Sequence, residues 1–235
     1  MSDTHSAAEL PVRASRIRLA IFDVDGVLTD GKLYFLVDGS EFKTFNTLDG
    51  HGIKMLIASG VRTAIITGRD TPVVERRARN LGIQHLYQGR EDKLAVLDEL
   101  LGELGLGYEQ VAYLGDDLPD LPVIRRVGLG MAVASADPFV RQHAHGVTAA
   151  RGGEGAAREF CELIMRAQGT LEAAQSAICR ADHAEDTTPE TAARPDRPVA
   201  DRRGLLLERR ARAVQRTADP SRPGQYHRLL CRECP

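Results

Sequence analysis

The chain has 235 residues, 43% of them hydrophobic, with 31 Lys and Arg against 33 Asp and Glu and a formal charge of −2. That balance fits one globular domain with extensions or two small ones, and it offers no electrostatic case for nucleic acid or an anionic membrane surface. No stretch approaches the roughly 18 apolar residues of a membrane span, the polar start Met1–Leu10 lacks a signal-peptide core, and four scattered cysteines form no disulfide framework, so a cytoplasmic protein is expected.

Residues 1–15 read as a flexible leader. The apolar run Ile17–Phe22, ending in acids, reads as a buried parallel strand. Leu33–Val37 and Glu41–Phe45 flank Asp38-Gly39, a β-hairpin signal. Gly52–Ser59 is predicted as a helix stopped by Gly60, Val61–Thr67 as a second buried strand, and Pro72–Leu81 as a helix with Gly82 just past its end. Further strands are expected at Ile83–Tyr87, Val111–Leu114, Leu129–Val133 and Gly146–Ala149, and further helices at Glu91–Leu104, Pro119–Val127, Asp137–His143 and Glu154–Gln168. The alternation predicts an α/β fold, a Rossmann-like three-layer sandwich on a mainly parallel sheet, spanning residues 16–178. Ligands of such sheets sit at the carboxyl ends of the strands.

Residues 179–235 differ: they hold 12 Arg, no Lys and six of the eleven prolines. They read as a disordered extension with one amphipathic helix near 202–216. Cys231-x-x-Cys234 beside His227 has half the ligands of a zinc site, and with no second ligand pair at fixed spacing it is not read as one.

Four short segments carry chemistry. Asp23-Val24-Asp25-Gly26 follows the first strand, and two carboxylates two residues apart on an extended segment share a side. The blander reading is a capped turn. Thr67-Gly68-Arg69 follows the second strand, where a hydroxyl and a backbone N–H can hold phosphoryl oxygens; an ordinary strand-to-helix turn would look the same. Lys93 opens a helix, where a cation opposes the helix dipole unless an anion lies near it. Gly115-Asp116-Asp117-Leu118-Pro119-Asp120 places three mutually repelling acids after a buried strand, and Mg²⁺ would relieve the repulsion. Acids at a helix start account for Asp117 or Asp120 without a metal, but less well for Asp116 at the strand end. Taken in order, each after its strand or opening its helix, the four segments supply the positioning and charge neutralisation that phosphoryl transfer needs.

The string Asp23–Asp30 (DVDGVLTD) resembles the first motif of the haloacid dehalogenase superfamily. The resemblance implies an aspartyl-phosphate formed on Asp23, with Asp25 as acid and then base. It also implies Mg²⁺ held by Asp23, Asp116 and the backbone carbonyl of Asp25, with Asp117 outside the first ligands and Asp120 bracing Lys93. Only about 35 residues separate Asp30 from Thr67, enough for the hairpin and one helix but not for a cap domain. Longer strings are similar to the bacterial 3-deoxy-D-manno-octulosonate 8-phosphate (KDO 8-phosphate) phosphatases: Asn46–Lys54, Ala64–Arg69, His85–Gly89, Val111–Asp117, Gly152–Glu159 and Gly169–Ala174. That likeness implies a homotetramer acting in lipopolysaccharide synthesis on a small sugar-acid phosphate. Its implied substrate contacts are Asn46, Thr47, Leu48, Asp49, Gly50, Lys54, Gly68, Arg69 and Arg77, with Asp25 and Lys93. Glu154 departs from the pattern, standing where many relatives carry a basic residue. A phosphatase for a related nonulosonate 9-phosphate is the alternative within the class. A catalytically silent oligomerisation domain is the alternative outside it, and the intact set of Asp23, Asp25, Lys93 and Asp116 argues against that reading.

Overall fold

A computed structural model describes residues 9–181, with side chains to residue 177. The strands are β1 (Leu19–Phe22), β2 (Tyr34–Phe35), β3 (Glu41–Phe42), β4 (Arg62–Ile66), β5 (His85–Tyr87), β6 (Val111–Gly115), β7 (Leu129–Ala132) and β8 (Gly146–Val147). The helices are α1 (Glu9–Ala14), α2 (Thr47–Ala58), α3 (Pro72–Leu81), α4 (Lys93–Leu104), α5 (Leu121–Ile124), α6 (Pro138–His143), α7 (Ala156–Ala167) and α8 (Leu171–Ala181). The first eight residues lie outside the description. So do the expected 202–216 helix, the disorder assigned to the extension beyond Ala181, and Cys231 and Cys234 with His227.

Six strands form one sheet in the order β5-β4-β1-β6-β7-β8, every neighbouring pair parallel. β1 and β6 are buried along their whole length, as strands covered on both faces must be. From β1 the chain crosses to β4 and β5, then returns past β1 to β6, β7 and β8. Right-handed crossovers in opposite directions send their helices to opposite faces. α2 touches α3 and α7, while α5 touches α4 and α6, which gives the three layers expected. The core is centred on Phe22, Tyr113 and Phe160, with the Phe22 and Phe160 rings edge to face at 5.6 Å. β2 and β3 stand apart as a two-stranded antiparallel hairpin between β1 and α2, and no cap domain interrupts the described residues.

Several boundaries differ from expectation: the hairpin strands are two residues each, the helix expected at Pro119–Val127 is α5 over Leu121–Ile124 alone, and three further differences have a visible cause or consequence. Residues 9–14, assigned to the flexible leader, form α1: Ala14 is fully buried and Arg13 Nη1 donates to the Gly128 carbonyl at 3.0 Å. Six residues are too few to display a helical period. α2 begins at Thr47, five residues early, because the Asn46 side chain accepts the Leu48 N–H at 2.8 Å and caps it. Gly50 and Gly52 make that segment look like a loop, yet Gly52 is needed inside the helix: a Cβ there would come within 3.0 Å of the Arg158 Cα, so its absence lets α2 lie directly on α7. Last, α8 spans Leu171–Ala181 and so runs past the expected domain end at 178.

Candidate active site

The chain reverses its direction of travel at β1, and the residues following β1, β4 and β6 meet there at the carboxyl end of the sheet. The Asp23 N–H donates to the Leu114 carbonyl at 3.1 Å, extending the β1–β6 ladder by one residue and fixing the start of the acidic turn. An open cleft of about 620 Å³ lies above, lined by Asp23, Asp25, Thr67, Gly68, Arg69, Lys93, Asp116 and Asp117, with Gly31, Glu91, Pro119 and Asp120.

Lys93, the first residue of α4, is 5% exposed, and its ammonium lies 3.1 Å from Asp23 Oδ1 and 2.6 Å from Asp120 Oδ1. The expectation that Asp120 braces this lysine holds, and the brace is larger than expected. Asp120 Oδ1 also accepts the Tyr113 hydroxyl at 2.6 Å, while Oδ2 accepts the backbone N–H groups of Asp116 at 2.9 Å and Asp117 at 3.2 Å. One buried carboxylate thus ties the β6 turn to α4.

Burial alone would lower the Lys93 ammonium, but Asp23 and Asp120 outweigh it and hold the group above its ordinary value. The carboxylates move the other way. Asp23 is raised to about 7, first by burial and then by the charge of Asp120, with Lys93 pulling against both. Asp116 is raised to about 8 by burial, then by Asp120, Asp23 and Asp117. Carboxylates this reluctant to ionise without a cation fit a divalent metal site.

Ligand atoms of Asp23, Asp116 and Asp120 all lie within 4.8 Å of one another. Asp120 is already committed to its four donors, so the side chains available to a cation are Asp23 and Asp116. The Asp116 carboxylate is pressed against Gly26: a Cβ on that glycine, whose φ is +89°, would sit 1.9 Å from Asp116 Oδ2. This contact brings Asp116 beside the Asp25–Gly26 backbone, as the expected ligand set of Asp23, Asp116 and the Asp25 carbonyl requires. Asp117 is engaged locally, capping the short turn that follows by accepting the Leu118 N–H at 2.8 Å.

A second charged network, absent from the sequence reading, enters from the hairpin. The Lys43 side chain is 2% exposed; its ammonium pairs with Asp25 Oδ1 and lies 3.2 Å from Glu41 Oε1. The other oxygen of Glu41 pairs with Arg69 on the cleft wall. Glu41, in β3, and Lys43, just past its end, are two residues apart, the spacing that shares a face in extended chain, and that is the signal that could have found them. Charges on a short hairpin more often face solvent.

The remaining expected substrate contacts lie off the cleft wall. Asn46 caps α2 and donates from Nδ2 to the Gly153 carbonyl at 3.1 Å. Asp49 is 2% exposed and points into α7, accepting the N–H of Gly155 at 3.3 Å and of Arg158 at 2.8 Å. Burial raises its carboxyl, and the N–H bonds oppose the rise. Arg77 donates to the Asn46 carbonyl at 3.0 Å with its guanidinium over the Phe45 ring, in a packed junction with Gly50, Ile53 and Leu81. Thr47, Leu48 and Lys54 are exposed on the outer side of α2, and Glu154 is exposed in its loop. The loop expected at 46–50 is a helix start, and a helix start turns its polar groups onto backbone N–H groups.

The family model for haloacid dehalogenase-like hydrolases matches residues 85–160. A 3-deoxy-D-manno-octulosonate 8-phosphate phosphatase of Yersinia pestis is 54% identical over 162 residues, 69% of this chain and 87% of that protein. Among solved structures, a probable YrbI family phosphatase from Pseudomonas syringae is 76% identical, with a TM-score of 0.73 over 74% of this chain and 98% of that one. A 3-deoxy-D-manno-octulosonate 8-phosphate phosphatase from Moraxella catarrhalis, solved with magnesium, phosphate and KDO, is 42% identical, with a TM-score of 0.72 over 73% and 99% of the two chains.

Proposed function

The chain belongs to the 3-deoxy-D-manno-octulosonate 8-phosphate phosphatases of the haloacid dehalogenase superfamily, and on that footing we propose how its own residues divide the reaction. It is a Mg²⁺-dependent phosphatase that releases KDO and inorganic phosphate from KDO 8-phosphate. The observation that carries the residue assignment is the Lys93 ammonium, held between Asp23 and Asp120 where β1, β4, β6 and α4 converge.

Asp23 attacks phosphorus through a carboxylate oxygen, and the bond between phosphorus and the sugar oxygen breaks. The departing oxygen takes a proton from the Asp25 carboxyl. Asp25, now a carboxylate, then takes a proton from the water that attacks the aspartyl-phosphate, and Asp23 leaves as a free carboxylate. Lys93 keeps the Asp23 oxygen oriented and neutralises charge on the transferring group, while Thr67 and Gly68 offer donors to phosphoryl oxygens. Mg²⁺, held by Asp23, Asp116 and the Asp25 carbonyl, supplies the remaining charge neutralisation when bound. Arg69, on the cleft wall and already paired with a carboxylate, suits the carboxylate of a sugar acid.

The finer reading is of a cytoplasmic homotetramer supplying lipopolysaccharide synthesis. A buried free thiol, Cys161, supports a reducing compartment. Exposed apolar side chains on the hairpin, Leu33, Phe35, Leu36, Val37 and Phe42, support assembly through that element.

The test is phosphate release from KDO 8-phosphate with Mg²⁺, in the parent protein and in Asp23→Asn. Turnover is expected to fall by at least about 10⁴-fold in the variant with its thermal unfolding intact. Retained turnover would remove the covalent role of Asp23, and a parent protein preferring a nonulosonate 9-phosphate would move the substrate assignment alone.

A further inference from the structure

Asp25 is held asymmetrically. Its Oδ1 pairs with the buried ammonium of Lys43, while its Oδ2 is buried and has no hydrogen-bond partner. Lys43 is held in turn: Glu41 Oε1 lies 3.2 Å from its Nζ, and the other oxygen of Glu41 pairs with Arg69 in the loop after β4. The chain of charges runs from the hairpin to the acid–base carboxylate and across to the phosphate-facing loop. A carboxyl that must give a proton and later take one back needs one oxygen free for that proton and the other fixed, so that the free oxygen stays aimed. Lys43 fixes Oδ1, and Oδ2 is the oxygen left without a partner.

The geometry points to Lys43 as the positioning residue for the Asp25 carboxyl, anchoring Oδ1 so that Oδ2 carries the proton to the departing oxygen. The inference rests on the reading of Asp25 as the acid–base group. Lys43 itself passes no proton. The proton leaves Asp25 Oδ2 for the ester oxygen as the P–O bond breaks and the bond from Asp23 forms, and it is replaced from water in the second half of the reaction. Glu41 sets the position of Lys43 from the opposite side and couples it to Arg69.

A leaving-group series separates this role from its competitors. In the presence of Mg²⁺, kcat/KM is measured for p-nitrophenyl phosphate, phenyl phosphate and glycerol 2-phosphate, which carry no sugar carboxylate, and for KDO 8-phosphate. The proteins are the parent chain, Lys43→Met, Lys43→Gln, Lys43→Arg and Asp25→Asn. p-Nitrophenolate departs without a proton, whereas an alkoxide does not. Lys43→Met is therefore expected to lower kcat/KM by about 10- to 100-fold on the alkyl phosphates and by less than about threefold on p-nitrophenyl phosphate. Lys43→Arg, which keeps the cation, recovers most of the loss. Asp25→Asn supplies the reference slope, steeper still. An equal loss on every substrate would make Lys43 a merely structural residue and overturn the inference. A loss confined to KDO 8-phosphate would make it a sugar-acid contact and overturn it as well. A steep Asp25→Asn series beside a parent-like Lys43→Met series defeats the Lys43 role alone, whereas a flat Asp25→Asn series defeats the acid–base reading and the inference with it. If Lys43→Met does not fold, the comparison of Lys43→Gln with Lys43→Arg gives the same reading.

Discussion

At the scale of single residues the site is a problem of like charges brought together and kept. Asp120 accepts from Lys93, from the Tyr113 hydroxyl and from two backbone N–H groups, so donors to both of its oxygens offset much of its charge. Burial raises the Tyr113 hydroxyl well above its ordinary value, with Asp120 and Asp23 adding to the rise, so it stays a donor. Asp23 and Asp116 lack such compensation and are raised to about 7 and about 8. The consequence for stability has a definite sign. In the metal-free protein these two groups hold protons that the unfolded chain releases near the ordinary value of 3.8. The folded state therefore binds more protons than the unfolded one between about pH 4 and about pH 8, and their contribution to stability falls as pH rises through that window. Mg²⁺ competes with those protons. The gain in melting temperature on adding Mg²⁺ is thus expected to be small near pH 5 and to grow to a plateau above about pH 8. Differential scanning calorimetry with Mg²⁺ and with EDTA across that range measures it. A gain independent of pH would place the ion away from Asp23 and Asp116.

At the scale of elements, the acids after β1 and β6, the Thr67 turn and Lys93 were all readable because each sits next to a strongly patterned element. α3 falls on its expected residues, with Pro72 at its start and Gly82 in the left-handed conformation at its end. Less legible was whatever depends on a partner distant in sequence. Lys43 reads as a surface charge on a hairpin until the hairpin is seen to fold onto Asp25, 18 residues earlier. Asp49 reads as a loop carboxylate until α7 arrives against it. The residue that precedes α7, Gly155, has no side chain to cap the helix, and Asp49 does that work from α2, 106 and 109 residues away in sequence. Asp49→Ala is therefore expected to cost about 1–3 kcal/mol, the price of leaving two N–H groups at a buried helix end unmade. Urea unfolding measures the loss. The KM for KDO 8-phosphate should stay within about twofold in the same variant, because Asp49 lies off the cleft wall. A rise in KM with unchanged stability would return Asp49 to the substrate contacts that the family resemblance implies.

At the scale of the whole molecule the hairpin carries both charge and exposed apolar surface. Glu41 and Lys43 reach Asp25 and Arg69 in the cleft, while Phe35, the cross-strand neighbour of Glu41, and Val37 are 62% and 109% exposed, and Leu33, Leu36 and Phe42 are exposed as well. A two-stranded hairpin is marginal alone, and one with so much apolar surface in water favours burial against a copy of itself. With no cap domain among the described residues, such a contact would also hold the hairpin down on Asp25, and assembly and the proposed acid–base positioning would share one element. Phe35→Asp with Val37→Asp is expected to dissociate the homotetramer proposed above, as read by sedimentation velocity. Removal of residues 182–235 is expected to leave it assembled, because the apolar surface in question lies wholly on the hairpin. The dissociated protein should also lose more kcat/KM on alkyl than on aryl phosphates, since a loosened hairpin withdraws Lys43 from Asp25. A double variant that keeps its mass would move the contact to another face of the molecule. One that dissociates and keeps the parent's leaving-group dependence would show that Lys43 is seated by its own subunit alone, and that assembly serves something other than the proton.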